Sequence, residues 1–301
     1  MNYKITELTD NLSEPLSTQN INLVCDSGAF NGTYLLGCMQ YLKELEKKKF
    51  LKINKLSGSS IGSLLSFFYI IDKLDDYQSH YKDIRDGFKK DFCLKSFKNS
   101  LDKFFSSLDE DIYKKLNDKL YINYYNIDTN REVIISTYHS NDDIKQAILS
   151  SSFIPYMMNG DLCYNGNIDG SNPYIFKERT VDDDKILFIR LTSYGKFKKM
   201  LNIRGEYNHS ERMLEGILDT HKFFKGDKSN LCSWVNNWGV MDYITFRSRQ
   251  IFWLLVVLMC YIFKKCAPYV PNFMVNNKII NTLRDFIYKI YQDMFVIFYN
   301  S

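Results

Sequence analysis

Seven cysteines are spread through 301 residues with no C-x-x-C pair and no histidine at metal-ligand spacing. That pattern excludes a zinc ribbon or a dithiol redox motif and implies no metal. Several of these cysteines fall in apolar runs, where a free thiol behaves as a small hydrophobe. Residues 1–20 are polar and carry Glu7, Asp10 and Glu14, so they make no secretion signal and read as a flexible tail. The odd cysteine count and the missing signal together point to a reducing, cytoplasmic setting. There is no repeat and no low-complexity segment. Neither a G-x-G-x-x-G fingerprint nor a Walker lysine occurs, which argues against a nucleotide-phosphate loop. The uncharged run at 251–263 (IFWLLVVLMCYIF) would be ~20 Å long as a helix, short of the ~30 Å hydrocarbon core of a bilayer.

What the chain does contain is enough apolar material, 45% of residues, for one large core. The net charge of +4 is unevenly placed: from Lys185 onward there are 17 basic and 8 acidic residues. A basic, aromatic last third suits an anionic surface. Residues 21–25 (INLVC) form a short apolar run typical of a buried parallel strand, followed by a small-residue loop and a helix with Leu35, Met39, Leu42 and Leu45 on one face. A second strand (53–56) and a second helix follow. This β-α-β-α opening predicts a three-layer α/β/α fold with a central, mostly parallel sheet. Residues 73–120 read as a helical cap, 121–138 as a hairpin turning at Asp128-Thr129-Asn130, and Ser140 to Asp143 as a capping box opening a helix. Strand 186–191 ends the domain expected at 21–195. Residues 196–301 are expected to be helical, basic and aromatic, with a C-terminal helix from about residue 276.

The second strand runs into Gly58-Ser59-Ser60-Ile61-Gly62, the spacing G-x-S-x-G at a strand-to-helix turn. A serine there is exposed to substrate, while the glycines let the backbone crowd in and the helix N-terminus lies beneath the reacting oxygen. Acyl transfer also needs a base and oxyanion donors. Asp26-Ser27-Gly28-Ala29-Phe30-Asn31-Gly32 can point backbone N–H groups at one spot beside the next helix. The candidate bases are Asp169, in Asp169-Gly170-Ser171-Asn172-Pro173, and the histidines His80, His139, His209 and His221.

These motifs, in this order, resemble the patatin-like phospholipases over about residues 21–195. That family pairs a glycine-rich oxyanion loop, D-G-G-G-x-[KR]-G, with G-x-S-x-G and a D-G-[GA] aspartate. Thr33 to Gly37 and the Ala147–Pro155 stretch resemble it too. The resemblance implies a Ser60–Asp169 dyad without histidine, with Ser27, Gly28 and Ala29 forming the oxyanion hole and Asp26, Asn31, Gly32, Gly58, Gly62 and Gly170 supporting the motifs. It implies hydrolysis of glycerophospholipid acyl esters with no cofactor, metal or nucleic acid. Three departures stand out: Ser27 and Ala29 replace glycines, and Asn31 replaces the basic residue. They leave room for a catalytically weak lipid-binding protein. A Ser60–Asp169 triad completed by His209 or His221 is a further alternative. Residues 250–301 are expected either to pack on the core or to dock peripherally on an anionic membrane.

Overall fold

A computed structural model of the chain describes residues 2–13, 17–91, 93–176, 184–192, 196, 199–200, 210–266 and the single positions 269, 278 and 282. The strands are β1 (Gln19–Cys25), β2 (Leu51–Gly58), β3 (Leu120–Asn126), β4 (Arg131–Ile135), β5 (Asn167–Asp169), β6 (Lys185–Ile189) and β7 (Cys232–Trp234). The longer helices are α1 (Asn2–Asp10), α2 (Gly32–Lys47), α3 (Ile61–Ile70), α4 (Tyr77–Asp91), α5 (Lys95–Phe105), α6 (Asn141–Ser151), α7 (Ser210–Phe224) and α8 (Val240–Cys266).

The strands form one sheet in the order β4-β3-β2-β1-β6-β7, with β5 also pairing β3. Its core, β3-β2-β1-β6, is parallel, and β4, β5 and β7 join antiparallel at its flanks. Helices flank this sheet, as the α/β/α reading expects. The apolar run of β1 follows from burial on both sides: Ile21, Leu23 and Cys25 enter the main core, and Val24 joins Phe188, Val235 and Phe246 in a second cluster. Cys25 pairs with Gly58, and Gly58 with Ile122. The carboxyl ends of β1 and β2 therefore lie side by side, which brings the loops after them together.

The hairpin β3–β4 and the Ser140 capping box, closed by Asp143, form as the sequence predicts. Residues 73–120 are largely helical, through α4, α5 and short 3-10 turns. Two expectations are corrected. Residues 2–10 are not a loose tail: they form α1, because Ile5, Leu8 and Thr9 share one helical face and pack against the body, with Lys48 Nζ bonded to the Thr6 carbonyl. Nor does the domain end at residue 195. β7 pairs with β6, and α7 lies against α2 so closely that a Cβ on Gly216 would meet the Tyr34 carbonyl at 2.1 Å. The stretch after 195 thus completes the sheet and core rather than extending them. His209, and all of the expected C-terminal helix except Lys278 and Thr282, lie outside the described residues.

Candidate active site

Ser60 links the end of β2 to the start of α3 with φ 54° and ψ −125°, a conformation that costs a non-glycine residue ~1–3 kcal/mol. The surroundings enforce it. A Cβ at Gly58 would lie 2.4 Å from Gly62, and one at Gly62 would lie 2.4 Å from the Cys25 carbonyl, so the turn closes only with glycine at both places. The Ser60 N–H donates to Ser151 Oγ at 2.9 Å, and Ser151 in turn donates to the Asn123 carbonyl at 2.8 Å. The turn is thereby fastened to α6 and β3.

Asp169 ends β5, which the Tyr124–Asp169 pairing holds against β3. Its carboxylate is buried and accepts the Ser171 N–H at 2.6 Å. Burial pushes its pKa from 3.8 up to about 6, while the Ser60 hydroxyl, the Ser171 N–H and the Ser59 hydroxyl oppose the rise. The Ser60 hydroxyl thus lies close enough to the Asp169 carboxylate to favour its ionised form. Ser59 Oγ is buried beside the same carboxylate without a well-formed bond of its own.

The loop after β1 completes the arrangement. Among the described residues, the backbone N–H groups of Gly28 and Ala29 have no hydrogen-bond partner and are free to bind an oxygen. Ala29 adopts φ 45°, a left-handed conformation glycine would accept more readily. Ser27 uses its hydroxyl to donate to the Ser171 carbonyl at 2.5 Å, tying the loop to the aspartate turn. Asn31 is fully buried, and its amide donates to the Leu191 and Lys196 carbonyls, both at 2.9 Å. Gly32 opens α2, and Gly170 packs against Asn123.

Asp26 is fully buried and accepts from the Ser27 and Leu191 N–H groups, the Thr192 hydroxyl and both terminal nitrogens of Arg249. Arg249 comes from α8, an element the sequence placed on the core or on a membrane but not over the site. Trp253, one turn further, donates its indole N–H to the Asp169 carbonyl. Phe246, Arg249, Trp253 and Val257 face inward, the i, i+3, i+4 spacing of a packed helix. That spacing was hidden because residues 251–263 are apolar all round and offer no contrast. Ser151 and Asn172 lie in stretches the sequence singled out, but their anchoring roles, like that of Asn123, depend on partners that only the fold supplies.

Ser60 stands between two cavities. The larger, about 570 Å³, is bounded by Ser27, Gly28, Asp169, Arg249, Phe252 and Trp253. The smaller, about 60 Å³, runs under α4 and α5 past Tyr77, Tyr81, Ile84 and Phe97. The described histidines lie elsewhere: His221 Nδ1 bonds the Tyr41 hydroxyl at 2.9 Å, His80 Nδ1 bonds Ser100 Oγ at 2.6 Å, and His139 donates its backbone N–H to Asp143. Among the described residues no cluster of His, Cys, Asp and Glu could hold a metal, and no helix is long and apolar enough to cross a membrane. Serine, carboxylate and paired amide donors around an apolar cavity can perform acyl transfer. No protein-family model matches this chain, and no curated protein matches it.

Proposed function

We propose that this protein is a serine acyl hydrolase of the patatin-like type, cleaving fatty-acyl esters of glycerophospholipids. One observation carries the reading: a strained, glycine-flanked Ser60 lies beside a buried carboxylate whose pKa burial raises to about 6, at the wall of an apolar cavity. In this reaction Ser60 Oγ attacks the ester carbonyl carbon as Asp169 takes its proton. The N–H groups of Gly28 and Ala29 hold the oxyanion. Collapse breaks the ester C–O bond, and Asp169 returns the proton to the departing alcohol. Water then attacks the acyl-serine as Asp169 takes its proton; the bond between Ser60 Oγ and the acyl carbon breaks, the fatty acid leaves, and Asp169 returns the proton to Ser60 Oγ. A fluorophosphonate probe should modify Ser60, located by peptide mapping, and Ser60→Ala and Asp169→Asn should each abolish ester hydrolysis. Failure of the wild-type protein to label and to hydrolyse would instead favour a catalytically weak lipid-binding protein, the reading motivated by the positive φ at Ala29.

The outer face of α8 supports a membrane partner. Ile251, Phe252, Leu255, Leu258 and Met259 are each more than half exposed, and Phe252 also borders the large cavity. A cytoplasmic protein resting this ridge on an anionic bilayer, peripherally, would present the cavity mouth to lipid. Phe252→Asp with Leu255→Asp should reduce flotation with anionic liposomes; unchanged flotation removes the membrane role.

A further inference from the structure

Arg249 sits where the two halves of the site meet. One terminal nitrogen donates to Asp26 Oδ2 at 3.1 Å, and the other donates to Asp26 Oδ1 at 2.6 Å and to Asn172 Oδ1 at 2.8 Å. Asp26 begins the loop whose N–H groups would hold the oxyanion, and Asn172 belongs to the turn that carries Asp169. Asn172 is anchored a second time, since its amide donates to the Phe246 carbonyl at 2.6 Å, one turn earlier on α8. The loop 26–32 holds no cation of its own.

We propose that Arg249 is a positioning residue for the Ser60 reaction. Its planar fork ties Asp26 of the oxyanion loop to Asn172 of the Asp169 turn, bracing the separation that the Ser27–Ser171 bond also spans, and it adds positive charge to a loop that Arg212 reaches from its other end at Asn31. This proposal rests on the hydrolase reading above. The physical basis is the fork itself. A bidentate guanidinium–carboxylate pair fixes distance and plane together, which a lysine ammonium on a flexible stem does not. Asp26, wholly buried, needs a paired cation or a proton, so the loop and the helix are tied by more than packing. Displacing either donor or base by ~1 Å costs a rate factor of about 10².

The test compares Arg249→Met, Arg249→Lys and the double variant Asp26→Asn/Arg249→Met with the wild-type protein on a fluorogenic phospholipid. Arg249→Met should lower kcat about 10²-fold with KM changed less than about twofold, because Met fills much the same length of cavity wall and what is lost is the fork's hold on Asp26 and Asn172. Arg249→Lys should not restore kcat. The double variant, relieved of an orphaned buried carboxylate, should regain thermal stability but not kcat, which keeps the test decisive even where Arg249→Met folds poorly. A folded Arg249→Met with wild-type kcat, or a double variant with wild-type kcat, overturns the proposal. Hydrogen exchange reads the strut without needing turnover: amides in 26–32 and in 169–172 should lose protection together in both Met variants. Unchanged protection in both segments overturns it whatever the activity. A wild-type protein that neither labels at Ser60 nor hydrolyses ester rejects the hydrolase reading instead, and the exchange result then stands by itself.

Discussion

The indole N–H of Trp253 donates to the backbone carbonyl of Asp169 at 2.7 Å, joining two residues 84 positions apart. The bond places a residue of α8 directly on the candidate base. Trp253→Phe keeps most of the ring's packing and removes the donor. It should lower stability by about 1 kcal/mol, the usual net worth of a hydrogen bond, read by thermal melting. The same change should lower kcat roughly tenfold, less than the 10² expected for a full 1 Å displacement. Wild-type kcat in this variant would show that Asp169 is held well enough by Ser171, the Phe153 carbonyl and the β3 pairing.

Asp169 also sets a pH dependence. Its carboxylate must be ionised to accept the Ser60 proton, and burial raises its pKa to about 6. The kcat/KM profile should therefore be half-maximal near pH 6 and fall tenfold per pH unit below that. A half-point near pH 4 would mean that the base is exposed or is another group.

The same shift has a stability consequence of opposite sense. The folded protein binds the Asp169 proton more tightly than the unfolded chain does, so this group favours folding most below pH 3.8. That contribution is lost as pH rises from 3.8 to about 6. At ~1.4 kcal/mol per tenfold change in proton affinity, the loss approaches roughly 3 kcal/mol. Asp169→Asn resembles the protonated form. It should be more stable than wild type at pH 7–8 by up to that amount, less what the amide loses in hydrogen bonding, with the gap closing below pH 4. Urea melts at pH 4 and pH 8 would measure it.

The backbone at Ser60 makes a separate prediction. Its φ of 54° with ψ −125° is a glycine-type conformation. Ser60→Ala and Ser60→Gly should both be inert, but the glycine variant should be the more stable of the two by about 1–2 kcal/mol. Equal stabilities would mean that the turn relaxes once the hydroxyl is gone.

Ala29 offers the parallel case in the oxyanion loop. At φ 45° it strains a position where glycine would rest easily. Ala29→Gly should raise stability by about 1 kcal/mol and leave kcat at or above wild type. A lower kcat would show that the Ala29 methyl group shapes the site.

Much of the layout was legible in the residues themselves. The apolar run of β1, the loop Asp26 to Gly32 and the glycines around Ser60 announced two neighbouring strand ends of an α/β sheet. The capping residues of α6 and the β-branched, aromatic stretches of β3 and β4 were legible because their signals are local. The α1 helix was missed because its apolar stripe, Ile5 and Leu8, is short among polar neighbours and gains meaning only against the core. β7 is three residues long and is a strand because β6 offers it an edge.

The sequence by itself determined which chemistry-bearing side chains exist and how each sits on its own turn: Ser60 between two glycines, Asp169 before a tight turn, a loop of small residues after β1. Local sterics and hydrogen bonding are settled within a few residues. Tertiary structure decided what surrounds them. The salt bridge from Arg249 to Asp26 spans 223 positions, and the inward face of α8 is selected from a uniformly apolar run only by contact with the sheet. Pairings at that separation depend on how the whole chain closes, because charge and burial act through distance in space and not along the polymer.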